Sequence, residues 1–316
     1  MRIGQNPAKS VKTVVKPERI TVAVLNYIPF LSGYYADMMD VLSTSLTSIR
    51  ESADLPFDLM VFDNGSCEEV KDYLLAEQSA GRIQYLMLSE KNLGKGGAWN
   101  MIFSGAPGEI LCYADNDCLF SRGFLSKSLE LLEGFPNVGM VTARPYRTRP
   151  EYYTSTVAWG ESQAGTKLER GDFIPWNVFL EFDLSLGQSE EEIRARYAET
   201  EDVRLSYQGL QALAGASHWQ FMARKETLQR FLPFDMDRPM GQVKQLDQRI
   251  NEAGFLRLMP VEPYAMNLSN TLRGIQGKAN IKAQSSQKQA LLDLPLIKKP
   301  LLWLYDSIFR WYYDRQ

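Results

Sequence analysis

Ile110-Leu111-Cys112-Tyr113-Ala114-Asp115-Asn116-Asp117-Cys118 is the stretch on which the reading of this chain turns. An apolar run with strand character ends abruptly on two carboxylates separated by one residue. Side chains i and i+2 of a strand project the same way, so Asp115 and Asp117 can converge on one point at the strand's end. Two nearby carboxylates repel each other unless a cation lies between them, and hard divalent ions prefer such oxygen ligands. Taken alone, the tripeptide also reads as an Asp-rich turn without a ligand.

Upstream, residues 20–25, 57–62 and 83–88 are further apolar runs with strand character, and 138–142 is another downstream. Helical periodicity falls between them: Leu42, Leu46 and Ile49 share a face, as do Val70, Tyr73 and Leu74, then residues 97–104 and 125–132. This alternation predicts the doubly wound α/β class, a mainly parallel sheet with helices on both faces. Ligands of such sheets lie at the carboxyl ends of the strands, and those ends are polar here. The first ends near Asn26-Tyr27, the second at Asp63-Asn64-Gly65-Ser66, the third at Asn92-Leu93-Gly94-Lys95-Gly96-Gly97, and the fourth at Asp115-Asn116-Asp117. Gly94–Gly97 permits close backbone approach to a phosphate and opens a helix, although it has neither the P-loop nor the G-x-G-x-x-G spacing.

The second half is less regular. Residues 145–185 carry many aromatics, and 190–202 are dense in acid and read as a solvated helix or cover. A strand is expected at 219–223, a helix near 226–231, another at 242–253 ended by Gly254, and a last strand at 255–259. The expected division is a basic arm over 1–18, a domain over 19–273 with a nucleotide-binding half (19–144) and an acceptor half (145–273), and a tail over 274–316. That tail ends in a short helix with a broad apolar face flanked by Lys298, Lys299 and Arg310, for which a membrane interface and a second subunit are both open.

Composition removes several classes. The 316 residues carry a net charge of −3, which argues against a broad basic face for nucleic acid. Three cysteines without a CxxC pair and a single histidine make a zinc site unexpected. No signal-peptide core and no long apolar span are visible, so the expected place is the cytoplasm, with the inner face of the membrane as an option for the tail.

The strand-one start, Asp63-Asn64-Gly65-Ser66, the run from Asn92 to Asn100, and Asp115-Asn116-Asp117 occur in the order and spacing of successive βα units. Together they resemble the family 2 glycosyltransferases of the GT-A fold, over roughly residues 20–270. The resemblance implies an inverting transfer of a sugar from a nucleotide-diphosphate sugar to the hydroxyl of a sugar or lipid-linked acceptor, in cell-surface polysaccharide or glycoconjugate synthesis. By it, Asn26, Asp63, Asn92, Gly94, Lys95, Gly96, Asn100, Asp115 and Asn116 belong to donor binding. Asp115-Asn116-Asp117 matches the DxD motif, with Asp117 as the direct ligand of Mn²⁺ or Mg²⁺ and Asp115 facing the ribose or a water. Asn267 stands where many relatives place a metal-binding His.

The family's base is a carboxylate near the start of a late helix, usually in a Glu-Asp pair. That doublet is missing here, and Asp247 is the acid at a suitable place, with Asp235 and Asp237 in reserve. His218 and Trp219 fall on the acceptor side. The departures at Asp247 and Asn267 motivate an alternative, a catalytically impaired GT-A-like protein that binds a nucleotide sugar. A nucleotidyltransferase is disfavoured because Asn26-Tyr27-Ile28-Pro29-Phe30 replaces the glycine-rich, Arg-containing loop that class shows after strand one.

Overall fold

Alternating apolar segments in the first half fold into parallel strands backed by helices. The structure is a computed structural model that describes residues 4–272. Strands β1 (Ile20–Asn26), β2 (Asp58–Asn64), β3 (Tyr85–Ser89) and β4 (Ile110–Asp115) are joined by helices α1 (Met38–Ser52), α2 (Glu68–Ser79) and α3 (Gly94–Gly105). They lie side by side in the order β3-β2-β1-β4, all parallel. β1 has seven buried residues in a row, as a strand covered on both faces must. The order reverses at β1, so the chain leaves the β1 and β4 ends in opposite directions and opens a crevice there.

The expected fifth strand, β6 (Val138–Val141), is not the next neighbour of β4. It follows the short β5 (Cys118–Phe120) and helix α4 (Phe124–Gly134). Between β4 and β6 lies β10 (Gln220–Arg224), antiparallel to both. The sheet is thus mixed, within the expected α/β class. An apolar run has no direction of its own, so its sequence cannot say which way it enters a sheet.

The second half extends the same sheet. After α5 (Thr154–Ser162), β7 (Lys167–Gly171), α6 (Trp176–Ser185) and α7 (Glu190–Glu199) come β8 (Asp202–Tyr207) and β9 (Leu210–Ala214). α8 (Lys225–Gln229), α9 (Gln242–Glu252), β11 (Leu256–Met259) and β12 (Ala265–Asn267) complete the described chain. The ten-stranded order continues β10-β6-β11-β9-β8-β7, and β12 pairs with β5 separately. The acid-rich segment is helical as expected, because Ser189 and Glu192 form a reciprocal capping box. Asp202, by contrast, is buried, where it accepts from Arg147 and from the Phe173 and Ile174 amides.

One core cluster locks the helix after the glycine turn to the sheet. Trp99 is fully buried and packs against Phe103, Tyr113, Phe221 and Phe234. Thus α3, β4, β10 and the segment before α9 share one aromatic centre. Residues 4–18 run exposed. The tail helix falls outside the described residues. Among the described residues no helix is long and apolar enough to cross a membrane. Trp99→Ala is expected to cost about 3–5 kcal/mol of unfolding free energy, as removal of a buried aromatic does, measurable by urea denaturation.

Candidate functional site

Four polar strand ends meet at the crevice. Asn26 closes β1 opposite Asp63 of β2, and Leu25 lies opposite Asp115 of β4. The Asn26 amide donates to Asp63 Oδ1 at 2.7 Å and to Ser66 Oγ at 3.0 Å, and its oxygen accepts from the Asn116 amide at 2.7 Å. Asp63 Oδ2 accepts from the Ser66 N–H. Asn26 and Asp63 are completely buried, so each buried polar atom finds a partner within the frame. In this conformation Asp63 organises the strand ends rather than presenting a free carboxylate.

A second layer holds the glycine turn. The Leu93 N–H donates to Asn64 Oδ1, the Asn64 amide donates to Asn92 Oδ1, and the Gly94 N–H donates to the same Asn92 oxygen. Gly94 has φ +67° and a Cβ there would meet the backbone of Arg238 and Pro239 at 3.0–3.2 Å, so only glycine fits without strain. Gly96 is buried in the first turn of α3. The Lys95 N–H donates to the Pro239 carbonyl at 2.9 Å, so the segment before α9 lies over this turn. Asn100, expected among the donor residues, is committed elsewhere: both its amide groups bind the Phe234 backbone, at 2.9 and 2.7 Å. Its place is a clamp between α3 and that segment, a role set by a residue far away in sequence.

At the end of β4 the two carboxylates differ. Asp115 is paired by Lys95 Nζ at 2.8 and 2.7 Å to its two oxygens, and Tyr113 Oη donates to Oδ1 at 2.5 Å. Asp117 is half-buried as a residue, yet its Oδ1 is sealed from solvent and has no hydrogen-bond partner. Burial first, and then the charge of Asp115, push the Asp117 carboxyl up to about 7 against the opposing pull of Lys95. Burial likewise raises the Tyr113 phenol and the Cys112 and Cys118 thiols, so all three stay protonated at neutral pH.

Asn267 is brought to the same place, since β12 sets it opposite Cys118 and the Leu268 N–H donates to the Asp117 carbonyl at 2.7 Å. Its side-chain oxygen accepts from the Ser269 N–H. Among the described residues no group of three or more His, Cys, Asp or Glu could hold a metal. Two carboxylates, one with an orphaned buried oxygen, and an amide therefore fit a hard cation shared with a phosphate ligand, not one caged by protein alone.

Across the crevice, the Asp115 N–H donates to the Trp219 carbonyl at 2.8 Å. Trp219 itself is buried against Phe182, which is a packing position rather than an exposed platform for a sugar. Trp159 and Trp176 also pack internally, Trp159 on Phe135 and Tyr207, and Trp176 on Tyr197. His218 is partly exposed, and its Nδ1 lies 2.8 Å from Asp247 Oδ2. Asp247 is on the middle of α9, not at its start, and is 5% exposed. Its other oxygen takes the Arg257 guanidinium, which is itself fully buried. Asp235 and Asp237 lie exposed before α9, and Asp235 accepts from Gln245. Arg257 escaped sequence reasoning because a buried arginine inside a strand carries no local signal of its partner. Asn64 and Ser66 were visible only as turn residues.

Residues 36–183 match the model of glycosyl transferase family 2. The chain is 26% identical over 102 residues to an uncharacterized glycosyltransferase of Nostoc sp., an alignment covering 32% of this chain and 31% of that protein. The chain thus spans about a third of the length of the curated relative it matches. Among solved structures it is similar to the mannosyltransferase PcManGT from Pyrobaculum calidifontis in complex with GDP-Man and Mn²⁺, at 19% identity and TM-score 0.46, over 78% of this chain and 55% of that one. It is also similar to S. aureus TarS 1-349 in complex with UDP-GlcNAc, at 12% identity and TM-score 0.45, over 78% and 58% of the two chains.

A folded-state pKa near 7 for Asp117 lies above the ordinary value of about 3.9, so the folded protein holds that proton more tightly than the unfolded chain does. The stability this contributes is present at acid pH and is lost as pH rises toward 7. In chelator-treated protein, the Tm is expected to fall across that window by scanning fluorimetry. Asp117→Asn, which cannot ionise, should remove this contribution to the slope.

Proposed function

We propose that this chain, whose residues 36–183 match the model of glycosyl transferase family 2, moves a sugar from a nucleotide-diphosphate sugar to an acceptor hydroxyl with inversion at the anomeric carbon. The observation that carries this reading is the pair Asp115 and Asp117 at the end of β4, beside the reversal at β1, with a buried Asp117 oxygen left unpartnered. Asp115, Asp117 and the Asn267 amide would hold Mn²⁺ or Mg²⁺ there. When bound, such an ion supplies charge neutralisation for a diphosphate leaving group.

The chain's own residues supply the rest. Lys95 brings a positive charge to the same carboxylates and can exchange Asp115 for a phosphate oxygen. The buried frame of Asn26, Asp63, Ser66 and Asn116 fixes the floor on which the nucleotide would rest, and Asn64 and Asn92 hold the glycine turn open to close approach. Preorganised groups of this kind need no rearrangement as charge develops, which is where electrostatic catalysis gains most. The acceptor is a sugar or a lipid-linked hydroxyl, with cell-surface polysaccharide or glycoconjugate assembly as the setting that the family resemblance implies.

One observation favours a second reading, donor binding without transfer. Asp247, the acid at the expected base position, is buried and has both oxygens engaged.

Incubation with a panel of UDP- and GDP-sugars plus Mn²⁺ should release nucleoside diphosphate from one donor. Asp117→Ala should slow that release by about 100-fold or more, the scale on which loss of a charge-stabilising group acts. Failure of every nucleotide to bind under any condition overturns the reading.

A further inference from the structure

His218 is the only histidine in the chain, and its surroundings are built to orient it. The β10 register pairs Gln220 with Ala114, and the Asp115 N–H bond to the Trp219 carbonyl extends that pairing. His218 immediately precedes Trp219, in the bend that leads into β10, one residue from this contact with the start of the Asp115-Asn116-Asp117 triplet. The link carrying His218 is pinned on several sides. The Ser217 N–H donates to Thr142 Oγ1 at 2.6 Å, the Gly215 N–H donates to the Arg257 carbonyl at 2.8 Å, and Tyr146 Oη donates to the Ala216 carbonyl.

Behind the ring stands a buried chain of charge. Asp247 Oδ2 takes His218 Nδ1 at 2.8 Å, and Asp247 Oδ1 takes Arg257. Arg257 also donates to the Ala216 carbonyl and the Tyr152 carbonyl, each at 2.7 Å. A carboxylate already bound to a guanidinium accepts hydrogen bonds, so the imidazole donates Nδ1–H to it and leaves Nε2 with a free lone pair. The His218 side chain is 32% exposed whereas that of Asp247 is 7% exposed, so of the two only the ring can meet an acceptor hydroxyl.

We propose that His218 Nε2 is the base of the transfer reaction, and that Asp247, held by Arg257, is the positioning residue that fixes its tautomer. The inference rests on the transferase reading above. As the acceptor oxygen bonds to the anomeric carbon, its proton passes to Nε2. The bond from that carbon to the diphosphate oxygen breaks, and its electron pair leaves on the nucleoside diphosphate. The imidazolium so formed faces Asp247 from α9, with Arg257 of β11 behind it and Asp115, Asp117 and Lys95 at the neighbouring strand end. An arrangement in which a buried acid orients a more exposed histidine explains why the expected acid doublet is dispensable here.

One histidine makes the test direct. In ¹⁵N spectra of the full chain, the neutral ring should be the Nδ1–H tautomer, with unprotonated Nε2. With the donor found in the panel and Mn²⁺, His218→Gln should lower kcat for diphosphate release by about 100-fold or more. Affinity for the nucleoside diphosphate and Tm should stay near wild type. Asp247→Asn should mix the two ring tautomers in the same spectra and lower kcat, because an amide can donate to Nδ1 as well as accept from it. An Nε2–H tautomer in the wild type overturns the proposal. So does a His218→Gln enzyme of near-normal kcat, which would return the base role to Asp247 if Asp247→Asn abolished turnover. A wild-type protein that binds no nucleotide diphosphate overturns the transferase reading itself, and the base role with it.

Discussion

The carboxamide of Asn26 is the interaction on which the site depends. One small side chain ties β1 to the turns after β2 and β4, through Asp63, Ser66 and Asn116. All of this is buried, where an unmade hydrogen bond costs more than a made one contributes. The three chain ends therefore cannot drift independently. Lys95 and Asp115 then add one charge of each sign at a surface whose floor is already fixed, so the electrostatics act at defined positions.

Polarity around the crevice is divided between sealed and open groups. Asp63 and Asp247 are buried with all their oxygens engaged, and they orient others. Asp115 and Asp117 stand at the end of β4, and His218 keeps a partly exposed ring before β10. The same residue type thus does two jobs, decided by whether its partners are already present in the protein. Asp117 is the intermediate case, with a buried oxygen that nothing in the chain satisfies.

Much of the first half was legible because its signals are local. Apolar runs ending on Asp, Asn and Gly mark parallel strands and their carboxyl ends, and four such ends in sequence order mark a crevice. What was hidden depends on distant partners. Nothing near Asn100 indicates that its amide binds Phe234, and the helical pattern around Asp247 does not reveal that its carboxylate points inward to Arg257. The insertion of β10 between β4 and β6 was hidden for a related reason, since strand direction is fixed by chain connectivity and not by side-chain alternation. The hairpin of β8 and β9 is short and partly exposed, which leaves little apolar periodicity to read.

That inserted strand also bears on how the protein comes to exist as a folded object. β4 is flanked by β1 on one side and by β10 on the other, and β10 is synthesised only after α5, α6, α7 and the β8–β9 hairpin. While the ribosome is still adding those segments, the edge of β4 that β10 will occupy has no strand beside it. Sheet formation must then wait for a pairing of large sequence separation, which slows folding. A fragment cut to residues 36–183 would lack both β1 and β10, and so both neighbours of the strand that carries Asp115.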